Sequence, residues 1–204
     1  MIIGVTGGIA TGKSSVAALF KKIGLPVVSA DELAREAVHP GSDVLRAIVQ
    51  QFGPEVLFSD GTLNRERLSQ FVFTDAAARR ALNQITHPAI ARLAESQLAA
   101  LVEAGADTII YEAPLLYEAG AEKRADKVLV VTANPAVQKK RLMARDGIDA
   151  ATADLRISAQ MPLAEKVLRA DFVVDNSGAP AETARQVELL CREHAISFTG
   201  SLFQ

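Results

Sequence analysis

The sequence predicts an α/β protein, a three-layer fold with a central parallel five-stranded sheet, a helical insertion and a helical lid. Three observations predict it. Short apolar runs rich in β-branched residues alternate with segments whose apolar residues recur every three or four positions, as in a parallel sheet covered by helices on both faces. The alternation is interrupted once, from about Glu32 to Asp107, by helical patterns without a convincing strand. The first apolar run leads directly into the glycine-rich stretch Gly7-Gly8-Ile9-Ala10-Thr11-Gly12-Lys13-Ser14.

Met1-Ile2-Ile3-Gly4-Val5 reads as the first strand. Ser14 to Ile23 reads as a helix, with Val16, Leu19, Phe20 and Ile23 on one face and Gly24 as its stop. Pro26 to Ser29, Thr108 to Tyr111, Lys127 to Thr132 and Phe172 to Val174 read as further strands, and Ile196-Ser197-Phe198 as a weak one. Thr86-His87-Pro88 has the form of a helix start, a capping threonine and a proline suited to the first turn. Asn134-Pro135 repeats that signal, and Pro180 opens a last helix. Asp60-Gly61 marks a turn inside the helical insertion. These elements divide the chain into a core (1–31, 107–137 and 167–204), the insertion (32–106) and the lid (138–166).

The glycine-rich stretch satisfies the P-loop pattern in its required context, between a strand and a helix. Such a loop holds a nucleoside triphosphate. Backbone N–H groups from Gly8, Ile9, Ala10, Thr11, Gly12, Lys13, Ser14 and Ser15 are the expected phosphate cradle. Lys13 is expected to reach the terminal phosphates, and the Ser14 hydroxyl to ligate Mg²⁺.

Bulk composition narrows the remaining classes. A formal net charge of −2 without a long basic block does not suggest a nucleic-acid surface. No apolar stretch approaches a membrane span, and the first residues do not resemble a signal peptide. Cys191 is the only cysteine, so no internal disulfide forms, and a reducing cytoplasm is the expected compartment. It lies in an apolar helical stretch and is expected in the core.

A P-loop names a ligand class, not a reaction. A GTPase would carry an Asn-Lys-x-Asp element after a strand, which Ala133-Asn134-Pro135-Ala136 does not match. Ile109-Ile110-Tyr111-Glu112 partly matches the acid-ended strand of a motor ATPase, but the chain is short for one. A small-molecule kinase needs a base and phosphate-binding arginines. Asp31 follows the second strand on the sheet edge that also carries the loop. It reads as that base or as the cap of the run Glu32 to Ala37, two roles that do not exclude each other. Arg141 and Arg145 are four apart and share a helical face, a pattern that favours phosphate contact. Lys139 and Lys140 read as a solvated face. From Lys139 to Arg169 seven Lys and Arg stand against four Asp and Glu, and Asp146-Gly147-Ile148-Asp149 reads as a turn between two lid helices.

Over essentially its whole length the chain resembles the dephospho-coenzyme A kinase family. The residues that carry the resemblance are the opening Ile3 to Ser14, Ser29-Ala30-Asp31, Pro40-Gly41, Asp60-Gly61-Thr62-Leu63-Asn64-Arg65 and Thr86-His87-Pro88. They continue through Ala113-Pro114-Leu115-Leu116-Tyr117-Glu118, then Gln138, Arg141, Leu142 and Arg145, then Arg156 and Gln160, and finally Asp171 to Gly178. Their order and spacing are far more specific than any one of them. The chain departs from the family pattern twice. Ala10 replaces a usual loop glycine, so that position is expected not to need a positive φ. Ser29 replaces the first acid of Asp-Ala-Asp, while Asp31 keeps the second.

The resemblance implies transfer of a phosphoryl group from ATP to the ribose 3′-hydroxyl of dephospho-coenzyme A, with Mg²⁺. It implies Asp31 as the base at that hydroxyl, and Lys13 and Arg141 as groups offsetting charge on the transferring phosphoryl. The helical insertion would bind the acceptor, with Arg65 and His87 as candidates; His87 reads equally as a residue ordering a helix start. Pro114, Leu115 and Leu116 would shape the floor between the two sites, and Asn176 would lie near the adenine. Another small-molecule kinase and a non-catalytic nucleotide switch are the rival readings. No nucleic-acid or membrane partner is implied, and the protein is expected as a monomer or small homo-oligomer.

Overall fold

The computed structural model describes residues 1–202, the side chains of 73 and 74 excepted. It divides into two compact units, Met1–Ser29 with the chain from Leu98 onward, and Ala30–Gln97.

The first unit is built on five strands, β1 (Ile2–Gly7), β2 (Val27–Ser29), β3 (Ile109–Glu112), β4 (Lys127–Thr132) and β5 (Phe172–Asp175). Their order is β2-β3-β1-β4-β5, and all pairs are parallel. β1 is central, so both its faces are covered, which is why Ile-Ile-Gly-Val-Thr-Gly is apolar or small throughout rather than alternating. One sheet face carries α1 (Lys13–Lys22) and α9 (Pro180–Glu193). Val16, Phe20 and Ile23 meet Val187, Leu190 and Cys191 over Ile3, Val5, Leu129 and Val131. At Gly4 a Cβ would stand 3.0 Å from Leu116 and 3.1 Å from Ala125, so the glycine lets the post-β3 chain pack close against β1.

Three helices continue this unit. α6 (Pro135–Asp146) is capped by the Asn134 side chain and ends at Gly147, whose φ of 64° is left-handed. α7 (Ala150–Ser158) is capped by Asp149, and α8 (Leu163–Leu168) follows. The expected turn between two helices at Asp146 to Asp149 is therefore present. The expected last strand at Ile196 to Phe198 is not formed. Ile196 N–H donates to Cys191 O, and Thr199 N–H and Gly200 N–H donate to Ile23 O. The tail thus binds helix ends instead of a strand edge, while Ile196 and Leu202 still enter the core.

The second unit holds α2 (Ala30–Glu36), α3 (Asp43–Phe52), α4 (Arg65–Thr74) and α5 (Ala76–Glu103) as far as Gln97. Its core gathers Val38, Ile48, Phe52, Val56 and Leu68, with Phe71, Leu82 and Ile85 against them. Ser42 caps α3 and Asn64 caps α4. The Asp60-Gly61 turn forms as expected: Gly61 takes a φ of 80°, and the Asp60 carboxylate accepts from the Thr62 N–H and hydroxyl.

Two helix starts differ from expectation. Thr86-His87-Pro88 does not begin a helix, because α5 runs through it and Pro88 lies in its interior. Thr86 Oγ donates to Leu82 O one turn back instead of capping. The start is at Asp75, whose side chain accepts from Ala77 N–H at 2.7 Å. Asp31 is not an N-cap either, since α2 already begins at Ala30 and places it in the first turn.

Candidate active site

The P-loop leaves the carboxyl end of the central strand and closes on the first turn of α1, the end at which a helix presents its N–H groups outward. Gly12 precedes α1 with a φ of 90°, and a side chain there would overlap Asn176 Nδ2. At Gly8 a Cβ would stand 2.6 Å from Gln138 Nε2, so that side-chain end would have to shift. Both neighbours arrive from far along the chain.

Ala10 corrects the sequence expectation. Its φ is 58°, so the position is left-handed even though it lacks glycine. Such a conformation costs an L-residue about 1–2 kcal/mol and persists where surrounding bonds over-determine it.

Those bonds are specific. Lys13 Nζ and Thr11 Oγ donate to Gly8 O at 2.8 and 3.0 Å. Gln138 Nε2 donates to Ile9 O at 2.8 Å, and Ile9 N–H donates to Gln160 Oε1 at 2.7 Å. Ile9, expected among the phosphate-facing amides, is thus turned to a protein partner. Asn176 Nδ2 donates to Thr11 O, while its Oδ1 accepts from Thr183 Oγ. Its buried carboxamide holds the loop. Arg141 Nη1 donates to Asn176 O at 2.8 Å, which ties α6 to the same corner.

At the catalytic end, Ser14 Oγ donates to Glu112 Oε1 at 2.7 Å. Glu112 closes β3, faces Val5 of β1 in the register, and is buried. Sequence reasoning met it only as a partial sign of a motor ATPase. An acid ending a buried apolar strand was the available signal, and the neighbouring strand is what gives it meaning. The hydroxyl and carboxylate together suit a hard cation held mostly by phosphate and water, the usual habit of Mg²⁺. Among the described residues no group of three or more His, Cys, Asp and Glu side chains forms a metal cage.

Beneath the loop lies Lys166, wholly buried and paired with Glu118 at 2.8 Å. Its ammonium also lies 3.5 Å from Gly7 O and 3.3 Å from Pro114 O, and Thr6 Oγ donates to the latter. Nothing in the helical pattern around Lys166 marks it in advance, because its importance comes from two distant chain segments, the end of β1 and the loop after β3. In the loop after β3, Leu116 is buried in the core and Leu115 is exposed.

Arg145 points elsewhere, bonding Asp146, which Arg156 also engages at 2.7 Å. Arg145, chiefly through hydrogen bonds, and the Arg156 charge hold the Asp146 carboxyl below its usual range.

The other expected residues belong to the second unit. Asp31 follows β2 by two residues, in the first turn of α2. Arg65 opens α4, and its guanidinium lies 3.5 Å from Ala34 O. Burial and the Arg35 charge lower its pKa, while Asp31 acts in the opposite sense. His87 is half-buried within α5.

Comparisons with known proteins agree with this geometry. The sequence model of the dephospho-CoA kinase family matches residues 1–182. The dephospho-CoA kinase of Syntrophotalea carbinolica is 50% identical over 190 residues, 93% of this chain and 90% of that one. A crystal structure from Thermus thermophilus superposes with a TM-score of 0.82 at 35% identity, covering 97% of this chain and 98% of that one. The dephospho-CoA kinase from Campylobacter jejuni gives 0.72 at 27% identity, covering 95% and 96%. A phosphate loop on the central strand, an acid beside its serine, and this likeness along nearly the whole chain lead to one conclusion: the chain belongs to the dephospho-CoA kinase family.

Proposed function

We propose that the protein transfers the γ-phosphoryl group of ATP to the ribose 3′-hydroxyl of dephospho-coenzyme A, giving coenzyme A and ADP. The observation that carries this reading is the Lys13–Ser14–Glu112 arrangement at the carboxyl end of β1 in a member of this family. The amides of the first α1 turn bind the β- and γ-phosphates. Lys13, now on Gly8 O, shifts its ammonium to the phosphate oxygens. Ser14 and Glu112 would hold Mg²⁺, which would supply positive charge to offset that of the phosphates.

Asp31 accepts the proton of the 3′-hydroxyl as that oxygen attacks the γ-phosphorus and the bond to ADP breaks. Its place directly after β2 supports this role, since β2 ends where Ser29 pairs with Glu112 in the register. Arg141 offsets charge on the transferring group, as arginines do in other P-loop enzymes. The helical unit binds dephospho-coenzyme A through Arg65 and His87; Pro114 and Leu115, in the loop after β3, are further acceptor contacts of this reading. Residues 138–166 act as the lid, and Arg145 reaches phosphate only by leaving Asp146. Among the described residues no helix is long and apolar enough to cross a membrane. A cytoplasmic location and a monomer or small homo-oligomer are the accompanying proposals.

An ADP-release assay with ATP, Mg²⁺ and dephospho-coenzyme A, run beside AMP and adenosine, tests the reading. Release dependent on dephospho-coenzyme A alone, with coenzyme A seen by mass, is expected. Turnover of AMP or adenosine instead would overturn the acceptor.

A further inference from the structure

The two peptide units that meet at Ile9 are gripped from one stretch of chain. Gln138, on α6, donates to Ile9 O and so orients the plane of the Ile9–Ala10 peptide. Gln160, between α7 and α8, accepts from Ile9 N–H and orients the plane of the Gly8–Ile9 peptide. The torsion that follows the first of these planes is φ of Ala10, the residue held at 58°. On its far side Thr11 is fixed as well, through Asn176 and Gly8. Alanine resists a left-handed φ, so these bonds, not intrinsic preference, keep the loop in this shape.

We propose that Gln138 and Gln160 are positioning residues of the phosphate loop, holding Ala10 left-handed so that the loop amides converge on the nucleotide phosphates. This rests on the reading that the loop binds ATP. Neither glutamine touches the reacting atoms. Because they lie at residues 138 and 160, these two bonds tie the loop to α6 and to the segment that follows α7.

The test is a thermodynamic cycle. Mg-ADP affinity is measured by calorimetry for the parent, Gln160→Leu, Ala10→Gly and the double variant, with unfolding midpoints as the check on folding. Gln160→Leu is expected to weaken Mg-ADP about tenfold. Glycine accepts the left-handed φ unaided, so Ala10→Gly is expected to restore about fivefold of that loss. Its effect in the Gln160→Leu background should exceed its effect in the parent at least about threefold. In turnover, KM for ATP rises, while kcat and KM for dephospho-coenzyme A stay within about threefold of the parent. Should Gln160→Leu fail to fold, Gln160→Asn, whose carbonyl is one methylene too short to reach Ile9 N–H, replaces it in the cycle. An unchanged affinity in a folded clamp variant, or an equal effect of Ala10→Gly in both backgrounds, overturns the proposal. Mg-ADP is the probe, so this outcome stands apart from the identity of the acceptor, which dephospho-coenzyme A-dependent ADP release by the parent decides.

Discussion

Ser14 Oγ donates to Glu112 Oε1 at 2.7 Å, joining the first turn of α1 to the end of β3, the neighbour of the strand that carries the loop. Glu112 is therefore expected to tune the magnesium requirement. Glu112→Gln keeps an acceptor for Ser14 and removes the charge. Activity should fall about 10–100-fold, with a higher magnesium concentration for half-saturation. A magnesium titration of initial rates checks this, and an unaltered midpoint would remove Glu112 from the metal site.

Asp31→Asn separates binding from chemistry. Loss of the proton acceptor should slow transfer by at least about a hundredfold while calorimetric ATP affinity stays near the parent value. Parent-like turnover would show that another group takes the proton.

Lys166 is a stability prediction. Replacing it with Ala leaves Glu118 without its partner and removes a cation from between Gly7 O and Pro114 O. The expected cost is about 2–4 kcal/mol, toward the range for breaking a buried pair. Denaturant unfolding measures it, and a loss under about 0.5 kcal/mol, the scale of an exposed pair, would contradict the assignment.

Cys191 is fully buried, and burial followed by the Glu188 charge pushes its thiol from 9.0 up to about 11. At neutral pH the native protein should resist alkylation and label fully only after unfolding. The folded pKa is the raised one, so this contribution is complete below pH 9 and is lost as pH rises through about 11. The loss amounts to about 3 kcal/mol at most. Unfolding midpoints followed from pH 8 to 11, in the parent and Cys191→Ala, should diverge only above pH 9. Rapid labelling of the native protein at pH 7 would contradict the burial.

Much of the molecule could be read in one dimension. The strands around Val5, Ile110 and Val130 announce themselves because a strand buried on both faces must be apolar throughout. Asn134 and Pro180 signal helix starts because capping and proline geometry are local. The same local signal misleads at Thr86-His87-Pro88, where the helical run from Ala76 continues and the threonine bonds back one turn. Ile196 to Phe198 has strand composition, but the Ile196 amide is taken by Cys191 O, and the amides of Thr199 and Gly200 that follow are taken by Ile23 O.

The sequence by itself determined the phosphate loop, its strand and helix, the alternating α/β order and the family, because each depends on residues close together or on many positions matched in order. Tertiary structure alone decided which distant groups meet that loop. Gln138, Gln160, Asn176 and Lys166 lie more than 120 residues from it in sequence, yet their hydrogen bonds act only across about 3 Å of space. Ala10 shows the difference most directly: its preference as an alanine is local, and its left-handed φ is imposed by partners that local preference does not reveal.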